Sequence, residues 1–285
     1  MEKKSALIIL GVIFLINVLA WLAVYNLSQS QLLEVTFFDI GQGDAIFIET
    51  PKNHQILIDG GPTSIILEKL GKVMPYWDRT IDLVILTHPE HDHYGGLIEV
   101  LKRYKVENIL WTGVLKETAE FQEWQRLIKE EKANIYIAKS GQKITWSGSY
   151  LDILHPWESF EGEVVKDVNN TSIVSRLVHR DNSFLLTGDI YKSTERKILE
   201  KGINIGSDIL KVSHHGSKTS SASEFVSAVS PEIAIIQCGK DNSYGHPHPE
   251  TLEVLEKYDI NILNTAESGD IKIISNGKTY GVPNL

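Results

Sequence analysis

A histidine-rich stretch at residues 88–93, His-Pro-Glu-His-Asp-His, constrains this chain more than any other part of its sequence. It follows an apolar run at residues 83–86, and the glycine pair Gly95 and Gly96 comes soon after it. Such a pattern is typical of a buried strand that ends in a ligand-rich loop. Imidazole nitrogens and carboxylate oxygens bind divalent first-row metals, so we expect a metal site here rather than a solvated polar turn.

The spacing of the ligands within this stretch indicates two metal ions. Asp92 and His93 are adjacent in the chain, and they cannot share one face with His88 and Glu90. Each pair is therefore expected to serve its own ion.

Four further apolar runs also end in side chains that can bind metal. In layered α/β architectures, the loops at one edge of a sheet collect functional side chains, so we expect these runs to converge on one site. The five sets of candidate ligands are Asp59, the stretch at residues 88–93, Asp189, His214 with His215, and His246 with His248.

The N-terminal segment differs in kind from the rest of the chain. Residues 6–27 carry no charge, and Trp21 and Tyr25 lie towards the far end of this run. The length of the run and the position of its aromatic residues predict a transmembrane helix. Lys3 and Lys4 on the short leading tail favour a cytoplasmic N-terminus, with the remainder of the chain outside the cytoplasm.

A cleaved signal peptide is the alternative interpretation of this segment. Residues 18–20, Val-Leu-Ala, loosely resemble a cleavage site with small residues. The apolar run continues past that site and is long for a signal sequence, so we favour an uncleaved anchor.

Composition narrows the classes of partner. The formal charge of −9 argues against sequence-wide attraction to nucleic acid or anionic lipid, although bound cations would reverse the local field for a phosphate-bearing substrate. The single cysteine, Cys238, excludes an internal disulfide and Cys-rich zinc sites. After the anchor and joint at residues 1–30, the chain forms two halves of strands with helices between them, and no linker rich in proline, glycine or serine separates these halves. We therefore predict one domain at residues 31–285.

Six motifs together resemble those of the metallo-β-lactamase superfamily. Within it they are most similar to the hydrolase domain of the ComEC-type competence proteins of bacterial DNA uptake, over residues 33–275 and in the family's order. The motifs are FDIGQGDA at 38–45, DGG at 59–61, the stretch at 87–96, LTGD at 186–189, KVSHHGS at 211–217 and YGHPHP at 244–249.

The resemblance implies an α/β (α+β) fold, a four-layer αββα sandwich, with two divalent metal ions, zinc or manganese, between its sheets. It implies that His88 and Glu90 bind the first ion and that Asp92 and His93 bind the second. Asp189 would bridge the two ions, and one histidine of the pair at 214–215 would complete a coordination shell. It also implies residues that orient the ligands without binding metal. The implied ligands are His88, Glu90, Asp92, His93 and Asp189 with His214 or His215, and the implied supporting residues are Asp59, Asp44 and Asn170.

Two departures from the superfamily pattern affect the first ion. Glu90 stands where the superfamily usually has histidine, which shifts the site towards oxygen ligands and makes manganese a competitor to zinc. At residues 169–170 the chain has two asparagines where many relatives supply a further histidine, a feature shared with the ComEC-type domains. His91 lies out of register with the ligands and is not expected to bind metal.

The expected chemistry is hydrolysis. Two cations lower the pKa of water and stabilise charge on a phosphoryl or carbonyl oxygen. Asp92 is the best candidate to orient the hydroxide, and His246 is a candidate to donate to the scissile phosphate or to protonate the leaving oxygen. A structural role in a turn or helix cap explains His246 and His248 equally well, and Asp44 has a similar alternative as a turn carboxylate.

We therefore predict a single-pass membrane hydrolase whose domain lies outside the cytoplasm, a phosphodiesterase or nuclease acting on single-stranded DNA or another phosphodiester. Complete ComEC-type proteins also carry a multi-span channel region, so hydrolysis of a cell-envelope phosphoester, or of another ester or a lactam, is an alternative. A catalytically silent binding subunit of a DNA-uptake complex is another, which the near-complete ligand set disfavours. The sequence carries no indication of the oligomeric state.

Overall fold

The computed structural model describes residues 2–28, 32–146 and 148–283. Within these residues the chain forms fifteen strands, eight α-helices and two 3₁₀ helices at Asn169–Thr171 and Ser213–Gly216. The strands are β1 Leu33–Phe37, β2 Ile46–Glu49, β3 Gln55–Ile58, β4 Thr80–Leu86, β5 Lys105–Trp111, β6 Asn134–Ile137, β7 Lys143–Trp146, β8 Ser149–His155, β9 Val174–His179, β10 Asn182–Leu186, β11 Ile209–Lys211, β12 Ile233–Ile236, β13 Asn261–Asn264, β14 Ile271–Ser275 and β15 Tyr280–Gly281. The α-helices are α1 Glu2–Ser28, α2 Ile65–Val73, α3 His91–Leu101, α4 Ala119–Glu130, α5 Lys192–Glu200, α6 Ser223–Val229, α7 Pro249–Lys257 and α8 Thr265–Ser268.

The strands form two sheets with a shared apolar core between them. The first sheet has the order β15-β14-β1-β2-β3-β4-β5-β6, and the second has the order β13-β12-β11-β10-β9-β8-β7. Buried side chains of both sheets, among them Phe37, Ile58, Phe184 and Ile235, form one cluster. This burial of apolar surface stabilises the pairing of the two sheets.

Helices cover the outer face of each sheet. Side chains of α2, α3 and α4, such as Leu70, Leu97 and Trp124, pack on the first sheet. Helices α5, α6 and α7 pack on the second sheet through residues such as Ile198 and Phe225. The predicted four-layer αββα sandwich is confirmed.

Parallel strand pairs bring the predicted ligands to one edge of each sheet. Strands β3, β4, β5 and β6 are parallel neighbours in the first sheet, as are β10, β11, β12 and β13 in the second. Strands β10, β11 and β12 are buried along their whole length, as expected for parallel strands with helices on one face and a sheet on the other. Since the carboxyl ends of parallel strands meet at one edge, the loops that follow them lie together.

Helix α1 is long and apolar enough to cross a membrane. Its segment Ser5–Leu22 is not buried against any other described part of the chain. The helix therefore fits the predicted single-pass anchor, while residues 29 and 30 of the predicted joint lie outside the described residues.

The histidine-rich stretch differs in one respect from its predicted conformation. Helix α3 begins at His91, so Asp92 and His93 lie in its first turn rather than in a loop. The backbone N–H groups of His93 and Tyr94 both donate to the carbonyl of Glu90, at 3.0 and 3.1 Å, which closes this turn. A carboxylate such as Asp92 is favourable there because the helix dipole is positive at its N-terminus.

Two glycines let α3 approach the end of β3 closely. The N–H of Gly60 donates to the carbonyl of His93 at 2.8 Å, and the N–H of Gly96 donates to the carbonyl of Gly61 at 2.7 Å. A Cβ atom on Gly96 would lie 2.0 Å from the carbonyl oxygen of Gly60. Only glycine at position 96 therefore permits the contact that fixes His93 beside Asp59.

Alanine substitutions of two helical glycines are expected to have opposite effects on stability, because only Gly96 lies in a close backbone contact. Gly96→Ala is expected to lower the free energy of unfolding by about 1–3 kcal/mol or more, because backbone must move to relieve the overlap. Gly71→Ala, in α2 and with nothing within 4 Å of the added Cβ, is expected to raise it by about 0.5–1 kcal/mol. Urea unfolding of the two variants measures both changes, and equal effects would contradict the assignment of a close contact to Gly96.

Candidate metal centre

The carboxylate of Asp189 lies at the centre of a buried cluster of imidazoles. Its Oδ2 is 3.3 Å from Nε2 of His93, 3.3 Å from Nε2 of His215 and 3.9 Å from Nε2 of His88. His88 and His93 follow β4 of the first sheet, whereas Asp189 and His215 follow β10 and β11 of the second. The cluster is thus assembled from the facing edges of the two sheets.

Asp59 holds two neighbours of the cluster in place from the end of β3. Its carboxylate accepts hydrogen bonds from the backbone N–H of Thr87 at 2.8 Å, from Oγ1 of Thr87 at 2.7 Å and from Nδ1 of His93 at 2.7 Å. With Nδ1 committed to Asp59, His93 presents Nε2 to Asp189. This is the orienting contact that the sequence-based prediction requires of Asp59.

The hydroxyl group of Thr87 also sets the tautomer of His88. Oγ1 of Thr87 lies 3.0 Å from Nδ1 of His88, and its one hydrogen is donated to Asp59. The oxygen of Thr87 therefore accepts a hydrogen bond from Nδ1 of His88. Neutral His88 consequently presents the lone pair of Nε2 to the cluster.

The two histidines of the 214–215 pair have different surroundings. His215 is 1% exposed, its Nδ1 donates to the carbonyl of Gln237 at 2.9 Å, and its Nε2 lies 3.3 Å from Oδ2 of Asp92. His214 is 21% exposed, and its Nε2 is 4.0 Å from Asp189 and 3.4 Å from Nδ2 of Asn169. The structure therefore places His215 inside the cluster and His214 at its rim.

A buried lysine lies beneath the cluster, and the sequence reasoning missed it. Lys211 is 1% exposed in β11, and its Nζ lies 2.5 Å from Oδ2 of Asp44 and donates to the carbonyl of Val212 at 3.0 Å. The other carboxylate oxygen of Asp44 is 3.2 Å from Nδ1 of His215. A lysine inside the apolar run at residues 209–212 was the available signal, because a buried ammonium group requires a partner.

Charges within the cluster shift the pKa values of its members. Burial alone disfavours the imidazolium of His93 and of His215, but nearby carboxylates, Asp189 foremost, outweigh burial and raise both pKa values well above the usual range. Burial, together with the charge of His93, lowers the pKa of His88 to about 3. Burial opposes ionisation of Asp189, yet His215 and His93 hold its pKa well below the usual range.

The cluster has the unpartnered atoms that a metal ion requires. Nε2 of His88, His93 and His215 and Oδ1 of Asp189 are buried without a hydrogen-bond partner among the described residues. Ligand atoms of His88, His93 and Asp189 lie within 4.8 Å of one another, as do those of Asp92, His93 and His215. These residues fit divalent metal ions, which would replace the protons on the imidazoles.

Two other candidates have partners away from the cluster. Glu90 lines the cavity above the cluster, but its Oε2 pairs with Nζ of Lys116 at 2.7 Å. The side chain of Asn170 accepts from the N–H of Tyr191 at 3.1 Å and from Oγ1 of Thr194 at 2.8 Å, so it stabilises the segment that leads into α5. Of the two asparagines it is Asn169 that lines the cavity.

The cluster opens into a cavity of about 470 Å³ whose rim carries His246. Nδ1 of His246 is 3.4 Å from Nε2 of Gln42, and Asn242 holds its backbone through hydrogen bonds of 2.9 and 2.6 Å. Burial and the charges of His215 and His214 lower the pKa of His246 to about 4. His248 also lines the cavity, and its Nδ1 accepts from the N–H of Lys218 at 3.3 Å.

Comparisons with known proteins identify the family of the chain. The family model described as Metallo-beta-lactamase superfamily matches residues 38–240. ComE operon protein 3 of Bacillus subtilis (strain 168) is 32% identical over 256 residues, which cover 84% of this chain and 32% of that protein. Competence protein ComA of Neisseria gonorrhoeae is 31% identical over 243 residues, with the same coverages of 84% and 32%. The chain thus spans about a third of the length of these relatives.

A solved structure supports the fold independently. The metallo-beta-lactamase fold protein YhfI from Bacillus subtilis matches with a TM-score of 0.57 and 15% identity, covering 87% of this chain and 100% of that one. At this level of identity the likeness concerns the fold alone. The family match over residues 38–240 and the two sequence relatives establish that the chain belongs to the metallo-β-lactamase superfamily and is related to the competence proteins.

Proposed function

We propose that this protein is a membrane-anchored hydrolase that uses two divalent metal ions, zinc or manganese, to cleave phosphodiester bonds. The observation that carries the proposal is a set of three buried imidazoles that surround Asp189 below an open cavity. Their Nε2 atoms have no hydrogen-bond partner within the described part of the chain. Burying so many ionisable groups is unfavourable unless a ligand compensates them. A domain used only for docking has no physical need of such a cluster.

The arrangement of the ligands supports two cations. His88 and Asp189 belong to one group, Asp92 and His215 belong to another, and His93 belongs to both. Asp189 lies between the groups and is suited to bridge two ions. The mixture of nitrogen and oxygen donors suits zinc and manganese.

Two side chains that line the cavity, Asp92 and His246, have roles in the proposed reaction. Bound cations would supply activated water and offset the charge on a phosphoryl oxygen. Asp92, whose side chain is 32% exposed to the cavity, orients the attacking water. His246 has a pKa of about 4 and is neutral near neutral pH, so it is better suited to donate its one N–H to the phosphate than to release a proton to the leaving oxygen.

Aromatic rings at the rim of the cavity support a nucleic-acid substrate. Tyr191 stacks on His214 with ring centroids 5.5 Å apart, and Tyr244 stacks on His246 at 5.6 Å. Both tyrosines line the cavity beside the cluster. Flat aromatic faces bind successive bases of a single strand without reading their sequence, which favours single-stranded DNA as the substrate class.

The N-terminal helix supports the location. Helix α1 fits a single-pass anchor, and the two lysines that precede its apolar segment favour a cytoplasmic N-terminus. The hydrolase domain then lies outside the cytoplasm. One relative is named as a competence protein, and the resemblance to proteins of DNA uptake favours DNA as the substrate there.

Removal of the Asp92 carboxylate tests the proposed activity. The full-length protein in detergent, stripped with a chelator and reloaded with zinc or manganese, is expected to hydrolyse bis(p-nitrophenyl) phosphate and a single-stranded oligonucleotide. Asp92→Ala is expected to lower the rate by about 10²–10⁴-fold, because it removes a group that acts on the attacking water.

The matched control is Asp181→Ala, which removes an exposed carboxylate in the turn between β9 and β10. It is expected to leave the rate unchanged. Metal binding without hydrolysis of either substrate would favour the binding-subunit alternative, and an unchanged rate in Asp92→Ala would refute the proposed role of Asp92.

The two histidines of the 214–215 pair provide a second test, because only His215 presents Nε2 inside the cluster. His215→Ala is expected to weaken zinc or manganese binding by more than the ~10–100-fold that loss of an outer hydrogen-bond partner of a ligand produces. His214→Ala is expected to weaken it far less. Equilibrium dialysis with metal analysis measures both affinities, and the reverse order would assign the ligand to His214.

A further inference from the structure

Two adjacent aromatic side chains are exposed on the loop between α2 and β4. Tyr76 is 81% exposed and Trp77 is 72% exposed, which makes them the most exposed large hydrophobic side chains among the described residues that follow α1. Their rings meet edge to face, with centroids 4.8 Å apart. Single exposed hydrophobic residues are ordinary, but tyrosine and tryptophan together are the residues that membrane proteins place between lipid and water.

This loop lies at the edge of the first sheet where the chain enters the domain. Glu34, near the start of β1, pairs with Glu49 of β2, and Glu49 pairs with Gln55 at the start of β3. Nε2 of Gln55 donates to Oδ2 of Asp78 at 3.0 Å, and Asp78 directly follows Trp77. Neighbouring strands lie about 4.8 Å apart, so Glu34 and Gln55 are separated by only about 10 Å.

The apolar helix ends a short distance along the chain from the same edge. Helix α1 ends at Ser28 and β1 begins at Leu33. Five residue steps span at most about 18 Å when fully extended. A bilayer that holds α1 therefore lies within reach of the edge that carries Tyr76 and Trp77.

The cluster of imidazoles around Asp189 lies at the opposite edge of the sheet. Strand β4 begins at Thr80, three residues after Trp77, and ends at Leu86, two residues before His88. At about 3.3 Å per residue, its seven residues separate the aromatic pair from the cluster by about 23 Å.

We propose that Tyr76 and Trp77 insert their rings into the interfacial layer of the bilayer that holds α1, and so orient the domain with its metal cluster facing away from the membrane. This inference rests on the membrane anchoring in the proposed function. The net charge of −9 provides no general attraction to anionic lipid, so we assign the contact to the amphipathic rings.

The orientation restricts the substrate. A cluster held about 23 Å from the interface does not reach the phosphate of a lipid headgroup in the same bilayer. The proposed orientation therefore favours a soluble phosphodiester, or one that projects from the membrane, over the phosphodiester of a phospholipid.

The test uses the full-length protein in vesicles of phosphatidylcholine that contain a spin-labelled lipid as quencher. A fluorescent nitrobenzoxadiazole group is attached to Trp77→Cys in a Cys238→Ala background, since Cys238 is the single cysteine of the chain. The label at position 77 is expected to lose most of its emission to the lipid quencher. The matched control is Val164→Cys, another exposed apolar position (67%), which bridges to Leu115 beyond the end of β5 at the cluster edge. A label there is expected to keep its emission.

A second measurement separates the rings from the anchor. A label on Lys105→Cys, at the start of β5 beside Arg79, reports the distance of the same edge from lipid. Its quenching is expected to fall when Tyr76→Ser and Trp77→Ser are introduced together, while hydrolysis of the soluble phosphodiester stays unchanged. Equal quenching at Lys105 with and without the rings would overturn the proposal.

The membrane anchoring on which the proposal rests is tested separately. Protein that an alkaline carbonate wash removes from the vesicles would refute the anchoring, and the orientation with it. Protein that stays on the vesicles with an unquenched label at position 77 would overturn the orientation alone. Hydrolysis of bis(p-nitrophenyl) phosphate, measured in detergent, reports the proposed chemistry independently of both.

Discussion

The ionised carboxylate of Asp189 joins loops of the two sheets at the edge of their shared apolar core, and the candidate metal centre depends on it. A carboxylate buried in this way is stable only when positive charge or hydrogen-bond donors surround it. The first sheet supplies His93 and the second supplies His215, each 3.3 Å from the same oxygen. The contact therefore ties a loop of each sheet to the same carboxylate. Because His93 and His215 belong to different sheets, their contacts with Asp189 also constrain how the loops of the two sheets lie against each other.

Much of this arrangement could be predicted from the sequence because parallel strands have a simple rule. A buried parallel strand reads as an unbroken apolar run, and the side chains just beyond its carboxyl end meet those of its neighbours. The runs before Asp59, His88 and Asp189 obey it. The conformation of the histidine-rich stretch was less accessible, since α3 begins inside the stretch and not after it. The first turns of α3 pack against the end of β3 at Gly60 and Gly96, and this is a tertiary contact that no local pattern specifies.

Long-range partners account for what the sequence did not reveal. Strand β14, at residues 271–275, pairs with β1 at the other end of the domain, and no local pattern specifies such a partner. The pairing of Glu90 with Lys116 and that of Lys211 with Asp44 are of the same kind. The local sequence around a carboxylate is the same whether the carboxylate binds a metal ion or pairs with a lysine that lies far away in the chain. Only the folded chain distinguishes the two.

The length of β4 has a consequence for how a tethered enzyme meets its substrate. With α1 in a bilayer and the domain oriented as proposed, the domain would diffuse in two dimensions. Strand β4, seven extended residues long, would then set the height of the cluster above the lipid. A strand presented at that height by another membrane-bound assembly would experience a high effective concentration of the hydrolase, without any affinity between the two proteins. Selection of the substrate would then depend on where it emerges from the membrane as much as on how well it fits the cavity.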